Sequence, residues 1–183
     1  MLFLRRFLRD EQLDRTASAV YAAFAGQARQ ADFYLRFGVP DSVDGRFEMV
    51  ALHAFLVFRR LKGQGPEIER LTQATYDVMF KEMDLALREL GAADLGVGRR
   101  IKHMTEALNG RIQAYGEALT AGDDRELKAA LRRNLYGTVE IGEAPLQAMA
   151  TYMRKVAQEL GTQETARLAA GEIRFPAPSK FIE

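Results

Sequence analysis

The sequence predicts an all-α protein, a single-domain irregular bundle of six to eight helices, and three observations carry that expectation. Residue usage is the first: 27 Ala and 21 Leu stand against 9 Val and 6 Ile, favouring side chains that lose little rotamer freedom in a helix over β-branched ones. Periodicity is the second, since apolar residues recur three and four apart through successive segments. The third is continuity: no internal repeat, low-complexity linker or composition break divides the 183 residues.

The elements follow in order. Leu13, Ala17, Val20, Tyr21, Phe24 and Ala28 define an amphipathic helix over residues 12 to 30 that continues toward Leu35, where Gly38 and Pro40 stop it. Asp44 is the expected cap of a second helix over residues 45 to 62. Its centre is apolar nearly all round, so several neighbours should bury it. Arg59, Arg60 and Lys62 fall in its last turn, where cations complement the helix dipole, and Gly63 and Gly65 end it. Pro66 opens a long helix to residue 90. On its outer face Asp77, Lys81, Asp84 and Arg88 alternate in sign, a ladder worth a few tenths of a kcal/mol per pair.

Beyond Gly91 the stripe Val97, Ile101, Met104, Leu108, Ile112, Tyr115 and Leu119 is the cleanest helix signal in the chain. Gly98, Gly110 and Gly116 interrupt it, each weakening a helix interior by up to about 1 kcal/mol. Asp123 and Glu126 resemble a capping box for a helix to Tyr136 carrying Leu127, Leu131 and Leu135. Pro145 starts another with Leu146, Met149, Ala150, Met153, Ala157 and Leu160, and Thr162 is expected to cap a short last helix ending by Gly171. The expected division is a basic amphipathic segment over residues 1 to 11, a helical domain over 12 to 172, and a flexible, extended, proline-bearing tail over 173 to 183.

Composition removes whole classes of chemistry. There is no cysteine, which excludes disulfides, thiol nucleophiles, Cys-ligated zinc and iron–sulfur clusters. Two histidines, His53 and His103, leave almost no room for an all-His metal site. With 26 Lys+Arg against 25 Asp+Glu the formal charge is +1, against a protein that coats nucleic acid, and no DNA partner is expected. The longest apolar run covers only residues 50 to 58, far short of the ~18 to 20 needed for a membrane span. The N-terminus lacks the apolar core and cleavage site of a secretory signal and is short for a transit peptide.

No constellation assigns a catalytic residue, a metal or a cofactor. His103 and Glu106 share a helix face, but the order is reversed from the Glu-x-x-His of di-metal bundles and no second pair exists. Met49 and His53 lie one turn apart, so they would meet any haem iron from the same side; a satisfied core histidine is the simpler reading. Asp10 and Asp14 have the spacing of a diphosphate-binding pair without the required second copy, and Gly96-Val-Gly98 follows no strand.

Charge is segregated, however. Residues 99 to 111 hold Arg99, Arg100, Lys102 and Arg111 against Glu106, a local +3, whereas 77 to 94 carry a local −3. The basic stretch is a candidate docking surface for phosphate, RNA or acidic loops, and a ribosome- or RNA-docking module built on it is the alternative function. In the first nine residues Leu2, Phe3, Leu4, Phe7 and Leu8 are interleaved with Arg5, Arg6 and Arg9, as in short helices that lie on anionic bilayers. Phe3, Arg5, Arg6 and Phe7 are the candidate membrane contacts.

More specific than any periodicity is the segment Tyr34-Leu-Arg-Phe-Gly-Val-Pro-Asp-Ser-Val-Asp-Gly-Arg-Phe-Glu48 with Leu52-His-Ala-Phe-Leu-Val-Phe-Arg-Arg-Leu61. Together with Phe80-Lys-Glu-Met-Asp-Leu-Ala-Leu-Arg-Glu-Leu90 and Asp94-Leu-Gly-Val-Gly-Arg-Arg-Ile-Lys102, it resembles the ubiquinol-cytochrome c chaperone family over residues 15 to 160. The resemblance implies an all-α, non-enzymatic assembly factor without a cofactor. Such a factor binds newly made cytochrome b and helps it enter the ubiquinol-cytochrome c reductase of the respiratory chain. It implies action in the cytoplasm, peripherally at the inner face of the inner membrane where the ribosome stands; mitochondrial members act beside a second small protein near the ribosomal exit. The absence of a long presequence is what a bacterial member would show.

A chaperone of a membrane subunit needs an adaptable apolar surface, and Met79, Met83, Met104, Met149 and Met153 could supply one, although core filling is the simpler role for each. Arg46, Arg59 and Arg60 have no clear structural need in the sequence, so they join Arg99, Arg100 and Lys102 as candidate partner contacts. The expected site is an apolar groove flanked by the basic helix at 99 to 111.

Overall fold

Helix α3 (Val43–Leu61) is buried along almost its whole length, from Phe47 to Phe58 without a break, and the other elements are arranged around it. The computed structural model describes residues 2–89 and 94–182, with side chains over 10–89 and 96–182. In chain order the elements are α1 (Leu2–Ala28), α2 (Ala31–Leu35), α3, α4 (Pro66–Glu89), α5 (Asp94–Ala121), α6 (Asp124–Asn134), α7 (Glu143–Thr162), α8 (Thr165–Ala169) and a 3-10 turn at Pro178–Lys180. No strand occurs among the described residues. The all-α bundle read from composition is therefore the architecture. α1, α4, α5 and α7 all pack on α3, and α6 bridges α5 and α7.

Local chemistry moves several boundaries from their expected places. The first helix does not run on to Leu35; it breaks at Arg29 and Gln30, where the Tyr34 hydroxyl donates to the free carbonyl of Ala28 at 2.9 Å. The break turns Phe33 inward, where its ring lies 5.5 Å from His53 and 5.1 Å from Tyr152. Burying one such side chain is worth roughly 1.5–3 kcal/mol, which outweighs the helical hydrogen bonds given up. Leu35, left outside, is 80% exposed.

Ser42, not Asp44, caps α3: its hydroxyl accepts from the Gly45 N–H at 3.1 Å, three residues on. Asp44 sits in the first turn, where its charge suits the dipole and is available to α5. Gly45 is required here because a Cβ would come within 2.0 Å of the Pro40 carbonyl oxygen. Asp123 does cap α6, accepting from Arg125 N–H at 2.7 Å. Helix α7 begins two residues before Pro145 and runs through Thr162, so Thr162 is no cap; Glu164 precedes α8.

Residues 173 to 182, expected as a flexible tail, are largely extended and lie on the bundle. Gln163 holds the segment by two bonds of 2.9 Å, its amide donating to Arg174 O and its carbonyl accepting from Arg174 N–H. The Gln27 amide donates to Pro176 O at 3.1 Å. Phe175 and Phe181 then cover His53 and Tyr152 at 5.7 and 5.5 Å. Two aromatics in ten residues anchor what the prolines keep extended.

Candidate functional site

The six candidate cations do not form one surface, because α3, at 19 residues and about 28 Å, separates them. Arg46 and Arg100 lie at its start. Arg46 Nε donates to Asp41 at 2.7 Å, holding that carboxyl below the usual range, and Arg100 Nη2 donates to Asp44 at 2.7 Å. On α5, Lys102 is 4.0 Å from Glu106, and Arg99 is exposed with no partner among the described residues. Arg59 and Arg60 lie at the far end of α3. Arg60 has the structural role that the sequence did not disclose: its guanidinium donates to Leu160 O at 3.0 Å, Gln163 O at 2.8 Å and Thr165 Oγ1 at 3.1 Å, closing the end of α7. Arg59 projects into solvent.

Beside Arg59 a cleft of about 610 Å³ opens between the end of α3, the first half of α4 and the second half of α5. Phe55, Phe58, Leu61, Tyr76 and Ile112 supply its apolar walls, with Arg59, Lys62 and Glu69 among its polar lining residues. Its size falls in the range typical of ligand clefts, ~300–1,000 Å³. Arg59, one of the candidate partner contacts, lines this cleft together with Lys62, whereas none of the basic residues at 99 to 111 does. Arg99, Arg100 and Lys102 lie about 15 to 20 Å away along α5, at ~1.5 Å per residue from Ile112, where the cleft first meets that helix. Lys62 and Gly116 were the residues to notice. Gly116 is one of three glycines inside the helical stripe of α5, with Gly98 and Gly110, and the sequence alone does not single it out.

Arg111, counted in the basic stretch, is not free for a partner. It forms a bidentate pair with the buried Glu48 at 2.6 and 3.0 Å, joining α5 to α3. Burial pushes the Glu48 carboxyl above its usual range, and Arg111 opposes that shift. A glutamate inside the buried helix α3 carried no sequence signal of its partner 63 positions away.

His53 is fully buried, as the core reading required. Nδ1 bonds to Met49 O at 2.8 Å and Nε2 to the Tyr152 hydroxyl at 2.7 Å, so neither nitrogen is free to ligate iron. His103 and Glu106 are exposed neighbours. Among the described residues no group of three or more His, Asp or Glu could hold a metal ion, and no helix is long and apolar enough to cross a membrane. Met79, Met104, Met149 and Met153 are buried and Met83 is half-buried, so the methionines fill the core and do not form an adaptable surface. The side chains of Phe3, Arg5, Arg6 and Phe7 lie outside the described residues.

Comparison with known proteins agrees with the motifs at residues 34 to 102. The family model described as ubiquinol-cytochrome C chaperone matches residues 35–175. The chain is 26% identical over 131 residues to ubiquinol-cytochrome-c reductase complex assembly factor 1 of Xenopus laevis, covering 72% of this chain and 65% of that protein. It is 24% identical over 160 residues to the Mus musculus protein of that name, covering 87% and 54%. It thus spans between about half and two thirds of the length of these relatives. Among solved structures, a crystal structure of the Cbp3 homolog from Brucella abortus superposes with a TM-score of 0.84 at 36% identity, covering 98% of this chain and 99% of that one.

Proposed function

The chain belongs to the ubiquinol-cytochrome C chaperone family, and from that premise we propose that it is a non-enzymatic assembly chaperone that binds newly synthesised cytochrome b and promotes its entry into ubiquinol-cytochrome c reductase. The observation that carries the reading is the family match over residues 35–175, and the cleft lined by Phe55, Phe58, Leu61, Tyr76 and Ile112 is the surface we assign to the client. Of its apolar walls Tyr76 and Ile112 are half-buried while Phe55, Phe58 and Leu61 are buried beneath them, so an apolar client would meet the first two. The names of the curated relatives support the same complex. The N-terminal segment with Phe3, Arg5, Arg6 and Phe7 would hold the protein peripherally at the inner face of the inner membrane.

Deleting the gene and quantifying assembled ubiquinol-cytochrome c reductase tests this directly. Loss of the assembled complex with cytochrome b message unchanged is expected; normal complex levels overturn the proposal. A ribosome-docking role keeps one supporting observation, Arg99 beside Lys102, exposed and without a partner among the described residues. It is the weaker reading, since Asp44 and Glu48 already engage Arg100 and Arg111. Replacing Arg99, Arg100 and Lys102 by Glu would weaken salt-sensitive sedimentation with ribosomes if it holds.

A further inference from the structure

We infer that the cleft between α3, α4 and α5 docks a short apolar polypeptide segment flanked by acidic residues; the inference rests on the chaperone reading and specifies what a client must present. The threonine and glutamine side chains lining the cleft already have partners within their own helices. Thr72 donates to Ile68 O at 2.9 Å, Thr120 to Gly116 O at 2.8 Å, and Gln73 to Asp77 at 2.9 Å. The charged side chains left over are Arg59, Lys62 and Glu69, all exposed and none with an ion-pair partner among the described residues. Two cations against one carboxylate give the lining a net positive charge beside the half-buried Tyr76 and Ile112. An occupant that matches it is apolar at its centre and acidic where it passes the end of α3. Complementing the α3 dipole is the other role open to Arg59 and Lys62, and it makes no demand on a peptide's charge.

Gly116 points the same way. Its backbone has no positive φ, and a Cβ there would lie 3.9 Å from Phe55 Cε2, an ordinary contact. Neither the turn of the chain nor close packing therefore requires glycine, although glycine weakens a helix interior. What its missing side chain does is leave room against Phe55 in the half-buried wall of the cleft.

The test uses the full chain and fluorescently labelled synthetic peptides with one Leu/Phe-rich centre, flanked by Glu in one and by Lys in the other. Anisotropy should show the Glu-flanked peptide binding about five- to tenfold more tightly, the size expected of two exposed ion pairs. R59E/K62E should reverse the preference. G116L should weaken both peptides at least about tenfold, whereas G116A keeps the fold and raises Tm. Equal affinity for the two peptides, an unchanged preference in R59E/K62E, or undiminished binding in folded G116L overturns the inference. Displacement of the peptides by sodium laurate at lower concentration than by unlabelled peptide also overturns it, in favour of a small anionic amphiphile. Cells expressing R59E/K62E or G116L separate the two levels: if deletion abolishes the complex and these variants restore it fully, the docking inference falls and the chaperone reading stands.

Discussion

Tyr152 donates its hydroxyl to Nε2 of His53 across 2.7 Å, and the direction of that bond follows from the partners on either side. Met49 O can only accept, so Nδ1 of His53 carries the proton in the neutral ring and Nε2 is the acceptor. The Tyr152 oxygen in turn accepts from the Gln27 amide at 2.9 Å. Four elements, α1, α3, α7 and the C-terminal segment, therefore meet in one buried polar chain.

Stability should depend on pH through this histidine. Burial holds its pKa at about 4 in the folded protein, against 6.5 for an unperturbed ring. The folded value is depressed, so the unfolded chain takes up the proton first as pH falls. The contribution is complete above pH 6.5 and is lost progressively between about pH 6.5 and 4, amounting to about 2 kcal/mol at pH 5. Glu48 works in the opposite sense, its raised carboxyl favouring the folded state on acidification, so the His53 share is isolated by comparison with H53Q. Urea unfolding between pH 7.5 and 5 should show a clearly flatter profile in H53Q than in the parent; equal slopes would refute the assignment.

Removing the Tyr152 hydroxyl leaves a buried ring nitrogen without a donor and Gln27 with one acceptor fewer. Y152F should lose about 1–3 kcal/mol, measured by chemical denaturation. Amide exchange should also speed up around Arg174 to Phe181, because the Gln27 amide that holds Pro176 is then poorly oriented.

Breaking the Glu48–Arg111 pair from one side should be worse than removing both partners. R111M leaves a carboxylate of 10% side-chain exposure unpaired, a loss of about 2–4 kcal/mol at pH 7 that shrinks as the solution is acidified and Glu48 takes up a proton. E48L/R111M, which buries no charge, should recover most of it. A double-mutant cycle by thermal or urea unfolding measures the difference.

The adjacent arginines Arg59 and Arg60 should behave oppositely. R60K cannot reproduce a fork spanning Leu160 O, Gln163 O and Thr165 Oγ1 and should lower stability by about 1–2 kcal/mol. R59Q, altering an exposed side chain without a partner among the described residues, should change it by no more than about 0.5 kcal/mol. Matched melting curves decide this, and a larger effect from Arg59 would mean that its cation supports α3.

Helix positions were legible because helix periodicity is a local property: the stripe from Val97 to Leu119 lies within α5, and the apolar run around His53 is the buried centre of α3. Caps were less so, since Ser42 and Asp44 are both good capping residues and only the approach of Gly45 to Pro40 decides between them. Of the candidate cations Arg59 lines the cleft, while those at 99 to 102 do not. Which cations border it depends on how α4 and α5 cross the end of α3, information that no single segment contains. Arg60 and Arg111 were misjudged for the same reason, their acceptors lying 100 and 63 positions away.

The bond from Gln27 to Pro176 spans 149 residues, and this bears on how the protein is made. At roughly 5–20 residues per second, between about 7 and 30 s separate the emergence of its two ends from a ribosome. Once made, His53 lacks the aromatic cover of Phe175 for most of that interval, and Tyr152 lacks that of Phe181 only near its end. A molecule proposed to receive another chain at the moment of synthesis thus passes through a period in which its own apolar interior stands open, and it needs residues 174 to 181 before it can offer shelter rather than seek it.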